Sequence, residues 1–271
     1  MANSYFQFKQ FSVYQEGCAM KVGTDGVLLG AWTAVDGAAR ILDVGTGTGV
    51  IALMLAQRAP GAFVDAVEPD CDAARQAFLN FNASPFAHRI RLHRKTLDGF
   101  RQACAAGIST CPPACPETTC PATCSKGIRN FRPYNLIVSN PPYFSQSLKS
   151  PNAGRNIARH DDSLTLPSLL SDAVHLLAPG SRLSLILPAD RFESFTTHCE
   201  RLGFRLIRFM QVHPLPDKPP QRILFDLCYG YDMRSSRSSS EGPSCETLVL
   251  EDAPGIRSVA YSKLMKDFYL T

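Results

Sequence analysis

Short apolar runs alternate with polar stretches of helical period along most of the chain. Strand 41–45 precedes helix 49–58, whose apolar block Val50–Ala56 stops at Ala59-Pro60-Gly61. Strand 63–67 precedes helix 70–82, where Asp70 is placed to act as N-cap. A third strand near 89–93 leads to a helical turn around 98–106, and a fourth, 134–139, ends at Asn140-Pro141-Pro142-Tyr143. Helix 166–178, strand 181–187, helix 190–202 closed by Gly203, and strand 205–212 follow. The connection to the run Arg222–Tyr229 is Pro-rich and too short for a parallel crossover, so that strand should insert antiparallel. Such alternation predicts an α/β, doubly wound sheet with helices on both faces and an antiparallel last strand.

The flanks are less regular. Residues 1–40 read as an amino-terminal arm packed on the core, with a hairpin carrying Phe6, Phe8, Phe11 and Val13 and a helix over 26–32. The Ser-rich stretch 234–244 reads as a flexible linker, followed by a short strand near 247–251 and a terminal helix over 257–269. One domain over 41–231 is therefore expected, interrupted by a Cys-rich insert at 102–130 and extended by 232–271. About twenty polar residues separate the Asn140 motif from helix 166–178, a length that suggests a lid or binding loop.

Two segments carry candidate chemistry. In Asp43-Val44-Gly45-Thr46-Gly47-Thr48-Gly49, glycines at every second position allow a sharp turn and close approach to a ligand. The spacing departs from the Gly-x-Gly-x-x-Gly fingerprint of dinucleotide sites. Asp43 would repel a pyrophosphate but can accept a hydrogen bond from an ammonium group. Glu68, at the end of the next strand, stands where a carboxylate grips ribose hydroxyls. A ribose plus an amino acid group suits S-adenosylmethionine better than NAD. On this segment alone a nucleotide-binding dehydrogenase stays open, as does a turn that only packs a helix on a strand. Asn140-Pro141-Pro142-Tyr143 combines a side-chain amide, a carbonyl whose direction the prolines fix, and an aromatic ring. Those groups can hold a planar primary amine by its two N–H bonds and stack on the ring bearing it.

Composition narrows the field modestly. With 271 residues, 45% hydrophobic, the chain can build a sizeable core. It has no apolar run of membrane-spanning length, and its start lacks a secretory pattern, so a cytoplasmic location without membrane contact is expected. A net charge of +4 permits a nucleic-acid partner without requiring one. Nothing in the sequence calls for an obligatory protein partner. Of ten cysteines, Cys104, Cys111, Cys115, Cys120 and Cys124 crowd into the insert. The Cys-x3-Cys-x4-Cys-x3-Cys run within it lacks the two-residue knuckle of zinc ribbons, so no metal site is expected.

The blocks Lys9-Gln10-Phe11 and Cys18-Ala19-Met20-Lys21-Val22-Gly23-Thr24-Asp25-Gly26-Val27-Leu28-Leu29-Gly30-Ala31-Trp32 carry a resemblance, together with the glycine turn, Glu68 and Ser139–Tyr143. The chain resembles the bacterial tRNA1(Val) adenine-37 N6-methyltransferases over nearly its whole length, except residues about 102–130 and the Ser-rich linker. The resemblance implies a seven-stranded, Rossmann-like class I methyltransferase sheet, S-adenosylmethionine as cofactor and tRNA as partner. It implies that Lys21, Thr24 and Asp25 line the methionine end of the cofactor and that Asp43 and Gly45, with Gly47, hold and admit its amino group. It also implies that Glu68 holds the ribose, that Asn140 and the Pro141 carbonyl accept from the target amine, and that Tyr143 stacks on the adenine. Asp98 is a weaker candidate for the cofactor's adenine, since Thr96 occupies the position where an acidic residue is expected. Lys149, Arg155, Arg159, Lys218 and Arg222 lie on predicted loops near the same sheet edge and are candidate phosphate contacts, though each reads equally well as a solvated charge. The competing activities are N5-glutamine methylation of a protein such as a release factor, and N6-adenine or N2-guanine methylation of ribosomal RNA. A non-catalytic RNA-binding chain is a third alternative, but it should have lost Asn140, Asp43 or a turn glycine.

Overall fold

The computed structural model describes residues 4–16, 18, 20–107, 131–142, 164–230 and 242–270. The arm opens with the hairpin β1 (Tyr5–Gln7) and β2 (Ser12–Tyr14), then α1 (Thr24–Trp32). The repeating units are β3 (Arg40–Val44), α2 (Val50–Arg58), β4 (Phe63–Val67), α3 (Cys71–Ala83), β5 (Ile90–His93), α4 (Leu97–Ala105) and β6 (Tyr134–Ser139). There follow α5 (Leu166–Leu176), β7 (Leu177–Pro188), α6 (Phe192–Arg201), β8 (Phe204–His213) and β9 (Arg222–Tyr229). The carboxyl-terminal part adds β10 (Ser244–Val249), the small hairpin β11 (Glu251–Ala253) and β12 (Ile256–Arg257), and α7 (Val259–Met265).

The strands assemble in the order β10-β8-β9-β7-β6-β3-β4-β5. All neighbours are parallel except at β9, which runs antiparallel to both β7 and β8, as the short connection before it requires. The expectation of seven strands is exceeded by one. β10 pairs in parallel with β8 from Ser244 to Val249, so the sheet begins where the tail of the linker was expected. The terminal helix is shorter than expected; it stops at Met265, and the residues after it fold back on the arm. Phe8 bridges Tyr269, and Lys9 N–H donates to the Phe268 carbonyl at 2.8 Å.

Alternation along the strands divides the core in two. Ile41, Leu136, Val138 and Leu224 join the arm, α1, α2 and α7 on one face. Leu42, Val44, Ile137, Phe225 and Leu227 join α4, α5 and α6 on the other. Because strands of the parallel part are covered on both faces, their sequences read as nearly unbroken apolar runs. Helix α2 is buried from Val50 to Ala56 between the sheet and α1. The two helices run side by side because α1 offers Gly26 and Gly30 to α2; a Cβ on Gly30 would meet Met54 Sδ at 2.8 Å. Arg58, near the end of α2, donates to the Gly30 and Thr33 carbonyls and so closes the end of α1. Among the described residues no helix is long and apolar enough to cross a membrane.

The chain leaves β3 for β4 and β5 on one side and returns to β6 on the other. This reversal opens a crevice beyond the carboxyl ends of β3 and β6, the place where ligands bind in such sheets.

Candidate active site

The crevice is built by the two segments that carry candidate chemistry. Gly45, Gly47 and Gly49 all adopt positive φ, at 71°, 55° and 86°, which β-carbon-bearing residues rarely tolerate. Gly45 and Gly47 face open space, whereas a Cβ on Gly49 would lie 2.4 Å from the Phe81 ring. The first two glycines therefore shape the crevice, and the third lets α3 pack on the start of α2. The turn is also tied to β4: the Gly45 and Thr46 N–H groups both donate to the Val67 carbonyl.

Asp43 is fully buried. Its Oδ2 accepts from Thr46 Oγ1 at 2.6 Å and from Ala52 N–H at 3.1 Å, bracing the turn against the first turn of α2. Its Oδ1 is buried and meets no donor among the described residues. Burial pushes this carboxyl up to about 7; the two hydrogen bonds pull it down, and the Glu68 charge adds to the rise. A buried carboxylate oxygen without a donor is costly, and an ammonium group placed against it would offset that cost.

Glu68 follows β4. Its Oε2 accepts from Gly47 N–H at 2.9 Å and its Oε1 from Asp70 N–H at 3.0 Å. Each oxygen keeps a second lone pair, enough to accept from a vicinal diol. Burial raises its pKa, with its backbone bonds acting the other way. Open space at Gly45 and Gly47, the orphan oxygen of Asp43 and the paired oxygens of Glu68 fit a ligand carrying an ammonium group and a ribose.

The Asn140-Pro141 segment is fixed to this crevice from the β6 side. Val44 and Ser139 are register partners, and Ser139 Oγ donates to the Val44 carbonyl at 2.8 Å. Asn140 thus emerges directly beside Gly45. Helix α1 approaches from above, since a Cβ on Gly26 would lie 3.9 Å from Asn140 Nδ2. Pro141 is buried behind it.

Comparison with known proteins matches this arrangement. The family described as Methyltransferase small domain matches residues 22–115. A protein of Parabacteroides distasonis named tRNA1(Val) (adenine(37)-N6)-methyltransferase is 43% identical over 270 residues, covering 100% of this chain and 99% of that one. The chain belongs to the tRNA1(Val) (adenine(37)-N6)-methyltransferase family. A family member from Phocaeicola vulgatus is 40% identical over 100% of this chain and 99% of its own. One from Trichodesmium erythraeum is 37% identical over the same shares. The crystal structure of a predicted O-methyltransferase from Agrobacterium tumefaciens superposes with a TM-score of 0.59 at 18% identity, covering 90% of this chain and 96% of that one, which bears on the fold alone.

In this methyltransferase the remaining expected residues distribute unevenly. Lys21 is exposed just before α1, and Thr24 and Asp25 form the start of that helix. Asp25 accepts from Arg222 Nε at 2.8 Å, so the side chain expected at a phosphate is engaged within the protein. Lys218 is exposed on the β8–β9 connection, near Asp217. Asp98 is turned along its own helix, accepting from Arg101 and from Gln102 Nε2, while Thr96 caps α4 through Gly99 N–H. Tyr143, Lys149, Arg155 and Arg159, the expected lid, and Cys111, Cys115, Cys120 and Cys124 lie outside the described residues. Cys104 is buried in α4, and no group of three metal-ligating side chains occurs among the described residues.

The sequence pattern marks Ser139 only as part of the motif, with no positioning role, and does not mark Asn80 at all. The latter lies on the polar-looking part of α3, yet is fully buried and bonded to the glycine turn and the arm. An amide in a helical run is an ambiguous signal, because only long-range packing distinguishes it from a solvated one.

Proposed function

We propose that this chain methylates the exocyclic N6 amine of adenine 37 in the anticodon loop of tRNA1(Val), using S-adenosylmethionine. One observation carries the chemistry: Asn140 stands beside the glycine turn at the β3/β6 crevice, held there by the Ser139–Val44 bond. The substrate follows from the family, whose members are named for that nucleotide.

S-adenosylmethionine supplies an electrophilic methyl group when bound. Asp43 holds the ammonium of its amino acid end, Glu68 its ribose, and the start of α1 with Lys21, Thr24 and Asp25 encloses the methionine side. The amine of adenine is a weak nucleophile because its lone pair is delocalised into the ring. Asn140 Oδ1 and the Pro141 carbonyl accept its two hydrogens, favouring a pyramidal nitrogen and offsetting positive charge as the N–C bond forms. The bound cofactor would supply the methyl group, its C–S pair leaving with sulfur as the nitrogen pair forms the N–C bond, and the proton would pass from the product nitrogen to water. No strong general base is required. Alignment supplies most of the remaining acceleration. Tyr143 stacks on the extruded base, and an unpaired anticodon-loop position lowers the cost of extrusion. Lys149, Arg155, Arg159 and Lys218 serve as phosphate contacts that hold the loop in register.

The test is transfer of labelled methyl to bulk unmodified tRNA, followed by nucleoside analysis and mapping. N6-methyladenosine at position 37 of tRNA1(Val), lost with Asn140→Ala, supports the proposal. Label appearing instead on a release-factor glutamine or in ribosomal RNA overturns it.

A further inference from the structure

The Asn80 side chain joins the glycine turn to the amino-terminal arm. It is fully buried near the end of α3. Its Nδ2 donates to the Thr48 carbonyl of the turn at 2.8 Å and to the Tyr14 carbonyl of the arm at 2.9 Å. Its Oδ1 accepts from Tyr14 N–H at 2.9 Å. A single amide thus binds both backbone groups of Tyr14 as a neighbouring strand would, while holding the turn.

The buried Gln15 side chain accepts from Val22 N–H at 2.9 Å, which ties the residue two places ahead of α1 to the arm. Helix α1 then arrives beside Asn140, since a Cβ on Gly26 would lie 3.9 Å from its Nδ2. Neither Tyr14 nor Val22 offers a side chain that could fix this placement by itself, since Tyr14 is exposed and Val22 only partly buried.

We propose that Asn80, with Gln15, is a positioning residue that ties the glycine turn and the start of α1 to the amino-terminal arm and thereby sets cofactor affinity. The proposal rests on the assignment of the β3/β6 crevice to S-adenosylmethionine. Neither residue touches the reacting atoms. Without Asn80 the Thr48 carbonyl and both backbone groups of Tyr14 lose their partner, and the turn loses its tie to the arm. Without Gln15 the Val22 N–H loses its partner ahead of α1, while the glycine turn is left intact.

The experiment measures binding of S-adenosylhomocysteine by calorimetry, and the KM values for S-adenosylmethionine and for tRNA, in the full chain and in Asn80→Ala and Gln15→Ala. Cofactor affinity is expected to weaken about tenfold or more in both variants, a change of about 1.4 kcal/mol per tenfold. The tRNA KM should stay within about twofold. A role in stability alone would lower the melting temperature and leave the two KM values and the affinity unchanged, and that result overturns the proposal. If Asn80→Ala does not fold, Gln15→Ala decides by the same readouts. Failure of the unmodified chain to bind S-adenosylhomocysteine would sink the crevice assignment itself. Normal binding by the unmodified chain and by both variants would sink only the role of Asn80 and Gln15.

Discussion

Ser139 Oγ donates to the Val44 carbonyl at 2.8 Å, and this buried bond fixes the spacing between the two halves of the crevice. Val44 leads into the glycine turn and Ser139 into Asn140, so any slip between β3 and β6 would move the turn and Asn140 apart. Ser139→Ala should cost about 1 kcal/mol of stability, the usual net worth of one buried hydrogen bond. Its effect on turnover should be larger than that loss suggests, because misplacement of a reacting pair is strongly penalised. Thermal melts and single-turnover methyl transfer would check this; a variant that loses stability but turns over normally would show that the strand pairing alone sets the spacing.

Asp43 predicts a pH dependence with a definite sign. Its folded pKa of about 7 stands above the ordinary carboxylate value of 3.8, so the folded state without cofactor holds this proton more tightly than the unfolded chain. Its contribution to stability is fully present below about 4 and is lost as pH rises through about 7. A cofactor ammonium favours the ionised form, so S-adenosylhomocysteine binding should tighten as pH rises toward 7 and release a proton below that pH. Calorimetry in buffers of different ionisation enthalpy reads the released proton directly. Asp43→Asn should flatten both the stability and the affinity profiles over this window.

The order of elements was legible because each strand–helix unit changes hydrophobic period and carries its own turn chemistry. Asp70 shows this: it stands just before α3 and caps it, accepting from Asp72 and Ala73 N–H. The antiparallel β9 was legible for a different reason, since the preceding connection could not cross the sheet. β10 was less so. Its strand Ser244–Val249 is short and half exposed, with Leu248 as its one buried residue, and it is held by pairing with β8 rather than by an apolar pattern of its own. Two side chains were legible as candidates, but their partners were not. Arg222 reads as a candidate phosphate contact or a solvated charge, and only the fold brings it to Asp25, 197 residues away. Asp98 reads as a weaker candidate for the cofactor's adenine, and in the fold it accepts from Arg101 and Gln102.

Two of the turn glycines, Gly45 and Gly49, should separate binding from stability. Gly49→Ala forces a side chain into positive φ and against the Phe81 ring, which a Cβ would meet at 2.4 Å. Backbone strain and overpacking together should cost about 2–4 kcal/mol and lower the melting temperature accordingly. Gly45→Ala meets nothing within 4 Å and carries only the backbone strain, about 1–2 kcal/mol. Its methyl group instead enters the crevice, so cofactor affinity should fall more than stability does. Equal losses of affinity in the two variants, after correction for unfolded protein, would mean that Gly45 does not face the ligand.

The Asp25–Arg222 pair makes the last prediction, because it separates two roles for one arginine. The pair is partly exposed, so its direct contribution to stability is modest. Its position matters more: it joins the first turn of α1 to the start of β9, and the same turn carries Thr24 and Gly26 at the mouth of the crevice. If Arg222 acts by holding α1, Arg222→Ala should raise the KM for S-adenosylmethionine several-fold and leave the salt dependence of tRNA binding unchanged. Asp25→Asn should reproduce that effect, since it removes the same charge pair from the other side. If Arg222 instead contacts phosphate, its loss should weaken tRNA binding and reduce the slope of log K against log salt by about one. Asp25→Asn would then tighten tRNA binding by unmasking the guanidinium. The two variants move together in the first case and apart in the second, so titration of tRNA at three or four salt concentrations, beside cofactor KM values, decides between them.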